Sequence, residues 1–196
     1  VRRKQAIGSL VKTLHIDNLD VIASYGEDAA VIQNGRTALL LAADGIWNKL
    51  MEIDPYWAGY CAILVNVHDI AAMGGRPVAM VDILSASDDE VMAQVTNGMR
   101  DAANAFNVPV VGGHLHPDAP YNVIDVSILG VADLENVIYS STAQVGDSII
   151  MAIDLNGRIH PSARMNWDSV TQKTPEVLQK QLGVMKELGE HHLLTA

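Results

Sequence analysis

Cysteine is nearly absent from this chain, positive charge is scarce, and no long apolar run occurs. The single Cys61 excludes an internal disulfide framework and fits a reducing compartment. It sits on an apolar stripe, so it reads as a buried structural thiol rather than a nucleophile. Thirteen Lys and Arg stand against 23 Asp and Glu, a formal charge of -10. A polyanion held over a large area needs clustered Lys and Arg, which argues against nucleic-acid binding. A small anion whose phosphates are screened by Mg²⁺ is still compatible, and carboxylates then become the expected site residues. No stretch approaches the ~20 apolar residues of a bilayer span. Val1-Arg2-Arg3-Lys4 leads into an amphipathic pattern instead of a signal-peptide core. The expectation is a cytoplasmic protein with no membrane partner.

What is present is enough apolar material, 49% of 196 residues, for a full core. Residues 3–15 read as a short amphipathic helix with Ile7, Leu10, Val11 and Leu14 on one side. Residues 29–33 and 37–43 read as strands around Asn34-Gly35, a favoured hairpin turn. Asp54-Pro55 supplies an N-cap and first-turn proline for a helix to about Met73, ended by Gly74-Gly75 and Pro77. A strand over 78–84 follows, then a helix capped by Ser87 or Asp88 and running to about Asn107. Further strands are expected over 108–111, breaking at Gly112-Gly113, and over 123–132 and 148–153. The order β-β-α-β-α-β-β-β implies an α+β layer of mixed strands with helices on one face. After Asn156-Gly157 the texture turns polar, and only one more helical pattern, 175–188, appears. This predicts a first domain over 1–157 and, over 158–196, a linker with the first helix of an incomplete second domain.

Asn66-Val67-His68-Asp69 places an Asn and an Asp on one helical face, while Cys61, Leu64, Val65, His68, Ala71 and Ala72 trace a buried stripe. Asn66 and Asp69 are therefore expected to face a cleft or another chain. Asp28 and Asp44 stand, like Asp69, at or beside the ends of short apolar elements. Singly, each is equally a cap or turn residue. Jointly, carboxylates gathered by a sheet are what Mg²⁺ requires, because it prefers oxygen ligands and keeps room for water and phosphate. Gly112-Gly113 would let a phosphate approach the backbone closely. His114-Leu115-His116-Pro117-Asp118 carries an H-x-H spacing that suits a transition metal on a strand, which leaves a metal-dependent hydrolase using His114, His116 and Asp118 as a second reading.

Together these motifs resemble the superfamily of aminoimidazole ribonucleotide (AIR) synthetase, selenophosphate synthetase, thiamine-monophosphate kinase and the hydrogenase maturation protein HypE. The resemblance covers about residues 5–157. Gly26-Glu27-Asp28-Ala29-Ala30 is similar to the family's G-D-D-A-A element, Ala42-Ala43-Asp44 to its T-T-D, and Asn66 through Pro77 to its N-x-S-D-x-x-A-M-G helix. Gly112-Gly113-His114 resembles the G-G-H of selenophosphate synthetases, where other members have G-G-D or G-G-E. It implies an amino-terminal ATP-binding domain whose sheet pairs into a barrel across a homodimer, with ATP and Mg²⁺ as cofactors and a small molecule as phosphoryl acceptor. Asp28, Asp44 and Asp69 would hold metal; Asn66, Gly112, Gly113 and His114 would contact the nucleotide. Alanines replace both threonines before Asp44, His68 replaces the usual Ser, and the Cys or Sec element of selenophosphate synthetase has no counterpart. A noncatalytic nucleotide-binding or scaffold module therefore stays open, and a chain with one wall of an interdomain cleft is expected to be inactive alone.

Overall fold

The computed structural model describes residues 6–14, 16, 20–23, 25–86, 88–117 and 119–196. Helix α1 (Ala6–Leu14) leads into strands β1 (Val21–Ala23), β2 (Ala30–Asn34) and β3 (Thr37–Gly45). Asn34 pairs with Thr37, so the two-residue turn is Gly35-Arg36, one position beyond the expected one. Gly35 sits there at φ 63°, a left-handed conformation in which a Cβ would be strained. Helix α1 is the amphipathic helix foreseen, but its Ile7, Leu10 and Leu14 face solvent.

Two helices follow, the short α2 (Asn48–Ile53), which the periodicity did not reveal, and α3 (Pro55–Ala72). Asp54 caps α3 by accepting from the Trp57 N–H at 2.9 Å, satisfying one of the orphan donors of the first turn. Strand β4 (Arg76–Ser85), helix α4 (Asp89–Phe106) and strand β5 (Val110–His116) form a β-α-β unit in which β4 and β5 are parallel. Asp88 caps α4 through the Val91 N–H; Ser87 lies outside the described residues.

Strand β6 (Val123–Asp133) pairs antiparallel with both β3 and β4, giving the order β1-β2-β3-β6-β4-β5. The sheet is therefore mixed, as the α+β reading requires. Its period-2 burial puts Leu40, Ala42, Met80, Leu84, Ile124, Val126 and Ile128 against the helices. The other face leaves Leu41, Val81, Ile83 and Leu129 exposed. Helices α3 and α4 touch backbone to backbone: a Cβ at Gly59 would lie 2.1 Å from the Val95 carbonyl oxygen, and one at Gly98 1.9 Å from that of Tyr56.

Two expected elements are different. Residues 148–153 form no strand, since no ladder pairs them among the described residues; Ile149, Ile150, Met151 and Ile153 are exposed instead. The final helical pattern is broken at Gly183 into α5 (Pro175–Leu182) and α6 (Val184–Glu190). A two-residue ladder, β7 (Arg158–Ile159) with β8 (Trp167–Asp168), holds the turn that lays His160 flat on Trp57, ring centres 4.4 Å apart. No helix among the described residues is long and apolar enough to cross a membrane.

Candidate functional site

Asp69 lies in the last turns of α3, Asp44 at the far end of β3, and Asp28 in the loop entering β2. Three separate elements thus carry the three carboxylates. They interact: burial pushes the half-buried Asp69 carboxyl up to about 7, and the negative charges of Asp44 and Asp28 push it the same way. An anionic cluster of this kind is relieved by a cation. The side chains as they stand form no closed cage, since among the described residues no three His, Cys, Asp or Glu groups are placed to hold one ion.

The Asp28 loop is pinned from two sides. The Ala29 N–H donates to Met73 Sδ at 3.1 Å, tying the loop to the end of α3. Glu27 accepts from the Ser140 N–H at 2.7 Å and from Ser141 Oγ at 2.8 Å. Although some burial opposes it, these hydrogen bonds hold the Glu27 carboxyl below its ordinary range. Glu27 and its serine partners, 113 residues away in sequence, carried no signal beyond their place in the Gly26–Ala30 element.

Asn66 is not the open contact that its helical face suggested. It is wholly buried, and its Nδ2 donates to the Ala62 carbonyl at 2.8 Å. Its Oδ1 has no hydrogen-bond partner, which costs about 1–3 kcal/mol in a buried acceptor. His68, expected on the buried stripe, instead opens on a cleft edge and meets Phe106 edge-on at 6.2 Å. Desolvation there holds its imidazole below the ordinary range.

Gly112-Gly113 does not break the strand. Pairing with β4 carries β5 through both glycines to His116. The glycine at 113 is explained by a neighbour, because a Cβ there would lie 1.7 Å from Asp82 Oδ1. Asp82 is half-buried, and desolvation raises its carboxyl above the ordinary range. Asp44, Val126, Asp82 and Gly113 form one transverse row by register; three strand spacings put Gly113 about 14 Å across the sheet from Asp44. The glycine–histidine segment and the carboxylate group are therefore opposite ends of one row rather than one point. A further carboxylate, Asp125, lies over Gly45 beside Asp44, its Oδ1 2.1 Å from where a Cβ would stand. A glycine inside a strand pattern was the available signal for both aspartates.

His114 and His116 are exposed on β5, ring centres 4.6 Å apart; Asp118 lies outside the described residues. A cavity of about 790 Å³ lies elsewhere, between the ends of α3 and α4 and the segment from 152 to 185. Its walls include His68, Phe106 and the ion pair of Lys173 with Asp154, but none of the three clustered aspartates.

Residues 26–132 match the AIR synthase related protein, N-terminal domain. The chain belongs to this family. Among its relatives is an uncharacterised protein of Methanocaldococcus jannaschii, 46% identical over 198 residues, covering 98% of this chain and 61% of the relative. The thiamine-monophosphate kinase of the same organism is 26% identical over 90% of this chain and 60% of its own length. Phosphoribosylformylglycinamidine synthase subunit PurL of Bartonella quintana is 30% identical over 85% of the chain and 25% of its length. In fold, the chain is similar to AaThiL complexed with AMPPCP and TMP, with a TM-score of 0.62, 25% identity, and coverage of 74% of this chain and 48% of that one. T. maritima PurL complexed with ADP superposes at TM-score 0.67 over 90% of this chain and 29% of its own, with 19% identity. The chain thus spans between half and two-thirds of the length of the first relatives, 61% and 52%.

Proposed function

We propose that this chain is the ATP-binding part of a larger enzyme that phosphorylates or ATP-activates a small molecule. The observation that carries the reading is the electrostatic coupling of Asp69 with Asp44 and Asp28, three carboxylates delivered by three elements to one region. Their oxygen donors and shared negative charge fit Mg²⁺, which would neutralise the phosphates of bound ATP and the charge that develops on the transferred phosphoryl group. Asp28, Asp44 and Asp69 would hold that ion. Asn66 supports from within the helix that presents Asp69. Gly113 would receive the nucleotide at the far end of the row, about 14 Å from Asp44, with Gly112 and His114 flanking it along the exposed strand. The crystallised relative AaThiL carries AMPPCP, which supports ATP as the nucleotide.

In this reading the protein's contribution to phosphoryl transfer is positioning and charge neutralisation, as the γ-phosphorus–oxygen bond to ADP breaks and one to the acceptor oxygen forms. We place the first domain at 1–157, with 158–196 beginning the second, and so expect binding without normal turnover from this chain alone. The protein would work in the cytoplasm as a homodimer, the exposed apolar sheet face of Leu41, Val81, Ile83 and Leu129 meeting its equivalent in a second copy. The test is thermal: ATP should raise the melting temperature in Mg²⁺ but not in EDTA, and Asp69→Asn should abolish the shift. An equal shift with EDTA refutes the carboxylate–metal assignment.

A further inference from the structure

Beyond the carboxylate cluster, the structure carries a second place suited to a cation, of a different chemical class. His114 and His116 are two apart on β5, so both rings project from the same face of the strand. They meet at 4.6 Å between ring centres with an interplanar angle of 75°. Strand β5 is one of the two edge strands of the sheet, both residues are exposed, and nothing lies within 4 Å of a Cβ built at Gly112. In the single chain the rings are exposed, at the margin of the sheet face that carries Ile83, on a backbone fixed by pairing with Ile83 and Ser85. A cation there would bind at the rim of the dimer contact proposed above, or before that contact forms.

We propose that His114 and His116 form a two-imidazole chelate for a borderline divalent transition cation such as Zn²⁺, Ni²⁺ or Cu²⁺. A metal–nitrogen bond of about 2.1 Å sets the cation about 3.2 Å from each ring centre. Two rings with centres 4.6 Å apart then subtend roughly 90° at the ion, within reach of both square-planar and tetrahedral arrangements after small side-chain rotations. Imidazole nitrogen selects these ions over Mg²⁺, whose preference is oxygen. Among the described residues no third His, Cys, Asp or Glu completes a set, so water or a ligand fills the remaining positions and the cation is exchangeable rather than structural. Because the strand already holds both rings together, the second bond forms intramolecularly, and losing it weakens binding by about a hundredfold. The cation would occupy His114 and so compete with the nucleotide contact proposed above.

The test is calorimetric titration of the whole chain with Ni²⁺ and with Zn²⁺ in excess Mg²⁺, which fills the carboxylate cluster, beside Cu²⁺ electron paramagnetic resonance. The wild type should bind one equivalent, and His114→Gln or His116→Gln should each weaken it about a hundredfold while leaving the metal-free melting temperature unchanged. A His191→Gln/His192→Gln double variant should bind as the wild type does. The copper spectrum should carry hyperfine splitting from two nitrogens. The proposal is overturned if His116→Gln binds normally, if binding is lost with the terminal histidine pair, or if the copper spectrum reports fewer than two nitrogens.

Discussion

Replacing Gly98 with alanine tests the helix layer that presents Asp69. A Cβ at that position would stand 1.9 Å from the Tyr56 carbonyl oxygen and 2.9 Å from the Tyr60 nitrogen, both backbone atoms that cannot rotate aside. Since real Cβ atoms do not come within 3.0 Å of such neighbours, α3 and α4 must part by about 1 Å, a gap that forfeits a quarter to a half of each dispersion contact across it. Overpacking of a tight core costs typically 1–3 kcal/mol and occasionally more, while alanine recovers about 1 kcal/mol of helix propensity over glycine. With an unyielding backbone contact the cost sits at or above the top of that range, for a net loss of about 2 kcal/mol. In a protein of this size that lowers the melting temperature by roughly 4–8 °C. Urea unfolding should show a lower midpoint at unchanged slope. Gly59→Ala should act alike through the Val95 carbonyl, and the double variant should lose less than the sum, because one parting of the helices relieves both clashes. Gly112→Ala, with open space around it, is the control and should leave the midpoint in place. A Gly98→Ala protein as stable as the wild type would refute the backbone contact itself.

Asp168 is buried and accepts from the Val170 and Thr171 N–H groups, from Thr171 Oγ1 and from Arg158 Nε. Although burial opposes ionisation, these bonds together hold its carboxyl below the ordinary range, so its contribution is fully present above the unfolded pKa of about 3.9 and is lost as pH falls through the lower folded value. Asp168→Asn should therefore cost about 2 kcal/mol at neutral pH, with the gap to wild type closing below about pH 4; a gap independent of pH refutes it. For the sheet face, light scattering at tens of micromolar should give twice the chain mass, and Leu41→Glu with Val81→Glu should give the monomer. A monomeric wild type counts against face-to-face pairing.

Elements governed by local chemistry were readable in the sequence. Asp54-Pro55 starts α3 because a side-chain cap and a proline at the first position act within one turn, and the hairpin at Gly35 follows from a glycine that its own φ demands. The carboxylate group was readable only as separate aspartates beside element ends, since what joins Asp28 to Asp69 is the Ala29 bond to Met73, 44 residues away. Gly112-Gly113 looked like a break because glycine is scarce inside strands. There the deciding fact is the carboxylate of Asp82 on the neighbouring strand, which no local window contains. The segment 148–153 has a strand's pattern without a strand's ladder, and pattern alone cannot report a missing neighbour.

The position of β6 has a consequence for how the molecule comes into being. It is the last of the six strands to leave the ribosome, yet it lies third from one end of the sheet, between β3 and β4. Before it arrives, the β1–β3 meander and the β4–α4–β5 unit share no strand pairing at all. The chain through residue 116 holds the strands of two half-sheets, linked through α2 and α3, whose β3 and β4 edges are the ones that β6 later fills. Insertion of residues 123–133 heals both edges in a single event and brings Asp44 and Gly113 onto one row. Pairings of such long sequence separation are slow to form, and until the sixth strand pairs, the β3 and β4 edges are open to misassociation.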